Sequence, residues 1–305
     1  MIYVSAQGRL GNQLFEYAFA KHLKNKYYSN ERILFNFAKL NDPRNGFENS
    51  LKYFNVKDLE CTDKIKINIL QNAALYIFLG IRKIFASVFK FDLMQRYNFE
   101  KHFYKTLNFF GIYVSSCGFY NEKKSKFKNK IVIGNFESAK FFDDVKEQLI
   151  KEYTPVKEKK AANKKLYNEI EKNESVCVTI RRGDFLSDKY KKEFFVCDTN
   201  YFNEAIKKMQ KMVPNAKFFI FSDDVEWCKK NINVPEGTMY ESGKDPVWEK
   251  LRLMYSCKHF IISNSTFSWW AQCLSRNKEK IVIAPKNWKN ENMPRDIYDE
   301  SWELI

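Results

Sequence analysis

The chain has 305 residues and a mass of 36.5 kDa, enough for two domains at roughly 100 to 200 residues each. With 45% hydrophobic, 17% aromatic and 29% charged residues, it has the composition of a core-forming protein and not of a disordered one. The formal net charge of +15 invites a polyanionic partner, but neither RNA-recognition aromatics nor zinc-finger spacing accompanies it, so no nucleic-acid partner is expected and such a module is the least favoured reading.

The N-terminus, MIYVSAQGRL, has no basic leader followed by an apolar stretch, which points to a cytoplasmic protein. The opening IYVSAQGRLGNQLFEYAFAKHL reads as a strand, a glycine loop and a helix whose Leu14, Phe15, Ala18, Phe19 and Leu23 recur at helical spacing. From about Ser29 to Lys128 the chain is aromatic and basic, and reads as mainly helical. Within it, AALYIFLGIRKIFASVFKF from Ala73 is interrupted by Arg82 and Lys83 and falls short of the roughly 20 apolar residues of a bilayer span. Two readings remain for it: a core helix with snorkelling cations, which is favoured, or an interfacial helix making peripheral contact with the inner membrane face. KIVIGNF at Lys130 is another strand, and the charged helix introduced by Pro155 marks a domain change. The expected division is a first domain at 1–155 and a second at 156–305.

Beyond Ser175 four short apolar runs, VCVTI, KFFIF, HFIIS and KIVIA, alternate with helical stretches. Apolar strands without polar alternation belong to a parallel sheet covered on both faces, so this half is a doubly wound α/β domain. Each run ends in polar residues: RRGD, SDD, NSTFS and PKNW. Ligands of open parallel sheets bind beyond the carboxyl ends of the strands, so the four endings should share a cleft. Two cations, hydroxyls and an amide there suit an anionic, hydroxyl-rich ligand such as a sugar nucleotide, helped by the helix start near Ser263. Seven scattered cysteines, never spaced CxxC, read as reduced core thiols, and no metal site is implied.

GRLGNQLFEYAFAKHL, IRRGDF, FIFSDDVEW, LMYSCKHFIISNSTFSWWAQCL and KIVIAPKNW, in this order, resemble the α-1,2-fucosyltransferases of bacterial and H-antigen type. The resemblance implies a metal-independent inverting glycosyltransferase with no cofactor, using GDP-β-L-fucose and a glycan acceptor. It also implies a GT-B-like α/β fold in which two Rossmann-like domains face a cleft. Another GDP-sugar is the alternative donor. The family usually has His two residues before the first arginine, where this chain has Thr179.

On this footing Arg181 is the cation expected at the pyrophosphate, since successive strand residues point oppositely and only one of the pair should reach it. Arg182 would then pair with Asp184, which is also the nearest candidate for a general base. Asp223 and Asp224 divide between reading guanine and capping the following helix. Asn264, Ser265, Thr266, Phe267 and Ser268 are expected at the phosphate or the sugar, with helix capping as the rival role, while Trp269 and Trp270 are expected in the core. Arg9 and Asn12, in the glycine loop, are candidates to touch donor sugar or acceptor.

Overall fold

The computed structural model describes residues 1–38, 40 and 47–305. Two compact units emerge: Met1–Tyr153 with Glu291–Tyr298, and Thr154–Asn290 with Asp299–Ile305. The segment Glu291–Tyr298 therefore belongs with the first unit, whereas a single cut after residue 155 assigns it to the second.

The first unit contains β1 (Ile2–Ser5), α1 (Leu10–Tyr27), β2 (Ile33–Asn36), β3 (Leu59–Cys61), α2 (Ile69–Phe89), α3 (Leu93–Phe109), β4 (Ile112–Ser115), β5 (Lys130–Gly134) and α4 (Lys146–Glu152). Its five strands pair in parallel in the order β3-β2-β1-β5-β4. Three of them, β2, β3 and β4, lie in the stretch that reads as mainly helical in sequence, which is a correction. They are three or four residues long, too short for a period of two to declare itself.

α1 is buried along Leu10, Gly11 and the run from Gln13 to Leu23. Phe19 stacks on Phe136 with ring centroids 4.0 Å apart. α2 and α3 each begin with a capping box, Asn68 with Gln71 and Asp92 with Gln95, and the left-handed Lys90 ends α2. The core-helix reading of α2 does not hold, because within it only Gln71 and Phe78 are buried. By length and composition α2 is also apolar enough to cross a membrane, contrary to the count made from sequence.

The second unit contains α5 (Lys164–Lys172), β6 (Glu174–Ile180), α6 (Lys191–Phe194), α7 (Thr199–Met212), β7 (Ala216–Ser222), α8 (Val225–Asn231), β8 (Met239–Tyr240), α9 (Val247–Tyr255), β9 (His259–Ile261), α10 (Thr266–Leu274), β10 (Val282–Ala284) and β11 (Glu303–Leu304). All six strands are parallel, in the order β11-β10-β9-β6-β7-β8. Counted from β6, this is the doubly wound order of dinucleotide-binding folds, reversing between β6 and β9. α7 shows why such a sheet is covered: Tyr201, Phe202, Ala205, Ile206 and Met209 turn inward onto Val176, Val178 and Ile220.

Candidate active site

The carboxyl ends of β6 and β7 are joined by ion pairs. Arg181 contacts Asp184 Oδ1 at 2.6 Å through one guanidinium nitrogen and Asp223 Oδ2 at 2.7 Å through another. The Arg182 backbone N–H donates to Asp223 Oδ1 at 2.9 Å, and its Nε–H donates to Asp224 Oδ2 at 3.2 Å. The Arg182 guanidinium lies 3.5 Å from the Trp227 ring centroid, a cation–π contact that fixes its plane. Gly183 lets the chain pass close to Asp223, since a Cβ there would stand 2.8 Å from Asp223 Oδ2 and displace it.

These pairings correct the expected ones. Asp184 pairs with Arg181, and Arg182 pairs with Asp224. Strand alternation stops governing direction once β6 ends at Ile180, so both cations turn toward the end of β7. Asp224 also caps α8 by accepting the Trp227 N–H at 3.1 Å, and Asp223 serves the arginines. Arg181 keeps 25% of its side chain exposed, and a guanidinium has five N–H donors, so its two carboxylate contacts leave others for a ligand.

The network continues across the strand-order reversal. Thr179 is buried, and its hydroxyl accepts the Ser263 N–H at 3.1 Å, tying β6 to the end of β9. The residue that stands where the family has histidine is thus a structural bracket. Asn264 is buried as well, donating to the Phe194 and Trp288 carbonyls, each at 2.9 Å, which links the endings of β9 and β10. Its amide group is engaged inside the protein and positions the loop. Ser268 is likewise buried, with its Oγ 3.2 Å from Ser263 Oγ. Ser265, Thr266 and Phe267 are half-buried at the start of α10, and the Ser265 side chain makes no cap bond. Trp269 and Trp270 take the core role expected of them. All four strand endings are therefore bridged into one edge, in which the cations lie beside β7 and a helix start lies beyond β9.

Arg9 and Asn12 stand in the first unit, beyond the carboxyl end of β1 and beside that sheet's own reversal between β1 and β5. Arg9 precedes α1, exposed, with its guanidinium carbon 5.4 Å from the Phe47 ring centroid. Asn12, in the first turn of α1, donates to Glu137 Oε1 at 3.4 Å, so the start of α1 meets the loop after β5. Gly8, at φ +61, lies so close to Asn12 Cγ that a Cβ would be 2.9 Å away.

Sequence reasoning overlooked Gln13, buried, which donates to the Gly8 and Glu48 carbonyls at 3.2 and 2.8 Å and accepts from Ser50 N–H. It also overlooked Glu16, which accepts the Gln7 N–H at 2.9 Å. The available signal was an amide and a carboxylate on helix positions otherwise filled by Leu, Phe and Ala.

The sequence profile of glycosyl transferase family 11 matches residues 1–305. The chain belongs to glycosyl transferase family 11. It is a glycosyltransferase, built as two α/β units on parallel sheets. An α-1,2-colitosyltransferase of Escherichia coli is 34% identical to this family 11 chain over 186 residues, 57% of this chain and 61% of the relative. The O-antigen biosynthesis glycosyltransferase WbnK of Escherichia coli is 26% identical over 319 residues, 99% of both. The galactoside α-(1,2)-fucosyltransferase 1 of Homo sapiens is 31% identical over 104 residues, 33% of this chain and 28% of that protein. The chain thus matches WbnK end to end, about three-fifths of the colitosyltransferase, and under a third of the human protein.

Proposed function

We propose that this chain transfers L-fucose from GDP-β-L-fucose to a galactose-type hydroxyl of a glycan, forming an α-1,2 linkage with inversion and without a metal ion. The observation that carries the reading is Arg181, a half-buried cation fixed by Asp184 and Asp223 at the carboxyl edge of a doubly wound sheet in a family 11 chain. The acceptor oxygen forms a bond to C1 as the bond from C1 to the β-phosphate oxygen breaks. The electron pair leaves with GDP, and the acceptor proton passes to a base or to water.

Negative charge grows on the β-phosphate during this step, and a preorganised guanidinium stabilises it without reorganising. Two carboxylates hold the Arg181 plane in place before the nucleotide arrives, which is the task a bound divalent ion performs elsewhere. The start of α10 supplies backbone N–H groups to the same anion. Asp184 acts by positioning Arg181.

The identity to a colitosyltransferase favours a second donor, a GDP-bound sugar lacking one hydroxyl of fucose. A site that hydrogen-bonds the extra hydroxyl would reject the deoxy sugar by roughly 10⁴-fold or more, so the two donors are separable. The test is a donor screen against simple β-galactosides read by mass spectrometry, with and without chelator. Fucosyl product formed equally well with chelator is expected. Colitosyl product alone would replace the donor, and loss of product with chelator would sink the metal-free mechanism.

A further inference from the structure

The outer face of α2 departs from every other surface helix in kind. α7 presents Lys207 and Lys211 to water, but α2 presents Ile69 (84% exposed), Tyr76 (67%), Ile77 (62%), Ile84 (61%) and Val88 (66%). Their spacing places them on one side of the helix, opposite Gln71, Phe78 and Arg82. Phe109, at the end of α3, is 66% exposed and packs edge-on to Phe127. An exposed apolar stripe of this length marks an interaction surface.

The charge around the stripe says what it meets. Residues 64–130 hold thirteen Lys and Arg against three Asp and Glu, a net +10 of the chain's +15. Glu100 and Glu122 are buried and Asp92 is half-buried as the cap of α3, so the fully exposed charges of this stretch are all cationic. Lys66, Lys83, Lys90, Lys124, Lys126 and Lys128 are all exposed.

We infer that α2 and its basic surround form a docking surface for an anionic phospholipid bilayer, with α2 lying in the plane of the headgroups. Ile, Val and Phe enter the acyl boundary, Tyr76 sits at headgroup level, and the lysines meet lipid phosphates. The helix does not leave its unit to span the bilayer. Gln71 donates to the Phe110 and Asn129 carbonyls, each at 2.8 Å, Arg82 binds buried Glu100 at 2.8 Å, and the Phe78 ring lies 5.6 Å from that of Phe99. A second copy of this chain is a poor occupant, because the same strongly cationic surround would face itself. Nucleic acid would match the charge but not an aliphatic stripe. The inference stands apart from the proposed donor and acceptor.

The full chain is to be floated with vesicles of phosphatidylethanolamine containing about one-third phosphatidylglycerol, and with phosphatidylcholine vesicles as control. Flotation with the anionic vesicles is expected, weakened but not abolished by salt. The double substitution I77E/I84E should lower partition about tenfold or more, and K83E/K90E about fivefold per charge, with unfolding midpoints unchanged. The inference is overturned if the native chain does not float, if I77E/I84E floats as well as the native chain, or if carbonate fails to release it. It is equally overturned if light scattering finds a dimer that I77E/I84E converts to monomer.

Discussion

Two charge networks of similar chemistry do different work in this molecule. Along α1, Lys21 binds Asp58 and Glu152, His22 lies between Glu122 and Asp144, and Lys26 shares Glu122. Lys21 and Glu122 keep only 8% and 3% of their side chains exposed, and this lattice runs toward the end of α1 remote from the carboxyl edge of its sheet. At the ends of β6 and β7, Arg181, Asp223 and Asp184 keep 25%, 25% and 32% exposed, directly beyond the strands. Burial and position, more than residue type, separate a charge enclosed in the fold from one left accessible at the strand ends.

Burial alone would raise the Glu122 carboxyl, but hydrogen bonds from His22 and Lys26 outweigh it and hold the group at about 2. The same contest at His22, where burial pulls down and Glu122 and Asp144 push up, leaves the imidazole above its ordinary 6.5.

The comparison is tested hardest by Glu122→Ala, which leaves His22 and Lys26 without their shared partner. It should cost about 3 to 5 kcal/mol in urea unfolding while the surviving folded protein keeps its turnover per molecule. Arg181→Ala should do the reverse, lowering turnover on the order of 10²-fold or more with little change in unfolding midpoint. Equal loss of stability and turnover in both variants would erase the distinction.

Thr179→Val removes the acceptor of the buried Ser263 N–H and should cost about 1 to 2 kcal/mol. Thr179→Ser should restore it. Asp184→Asn, at a partly exposed pair, should shift the midpoint by less than about 1 kcal/mol and keep most turnover. A loss near that of Arg181→Ala, together with loss of the acidic limb of the pH–rate profile, would instead make Asp184 the general base.

The smallest effect is on pH dependence. The His22 contribution is whole below pH 6.5 and is lost as pH rises through the raised folded value, whereas that of Glu122 is whole above 4.5 and is lost as pH falls toward about 2. The unfolding midpoint should therefore fall on both sides of that interval, and in His22→Gln the alkaline fall should disappear.

The second unit was legible because its strands are buried on both faces and read as unbroken apolar runs, VCVTI and KFFIF above all. Their polar endings named the edge where Arg181, Asp223, Thr179 and Asn264 are now seen to be bridged. Which arginine meets which aspartate was not legible, since strand alternation says nothing once the strand has ended. In the first unit LEC and IYVS were too short to stand out among helical neighbours. α2 was misjudged for another reason: a helix apolar all round gives the same pattern whether it is enclosed or open to water, and only the structure shows Ile77 and Ile84 uncovered.

Asp296, in the returning segment Glu291–Tyr298, accepts the Phe119 N–H at 3.0 Å and binds Lys140 at 2.9 Å, both in the first unit. On the ribosome that carboxylate is made 177 residues after Phe119, so the first unit must wait, incomplete, until strands β6 to β10 of the second have been synthesised. A fragment cut at the first boundary would lack Asp296 and with it the acceptor of the Phe119 N–H, so one cut cannot separate the two units along their own boundaries.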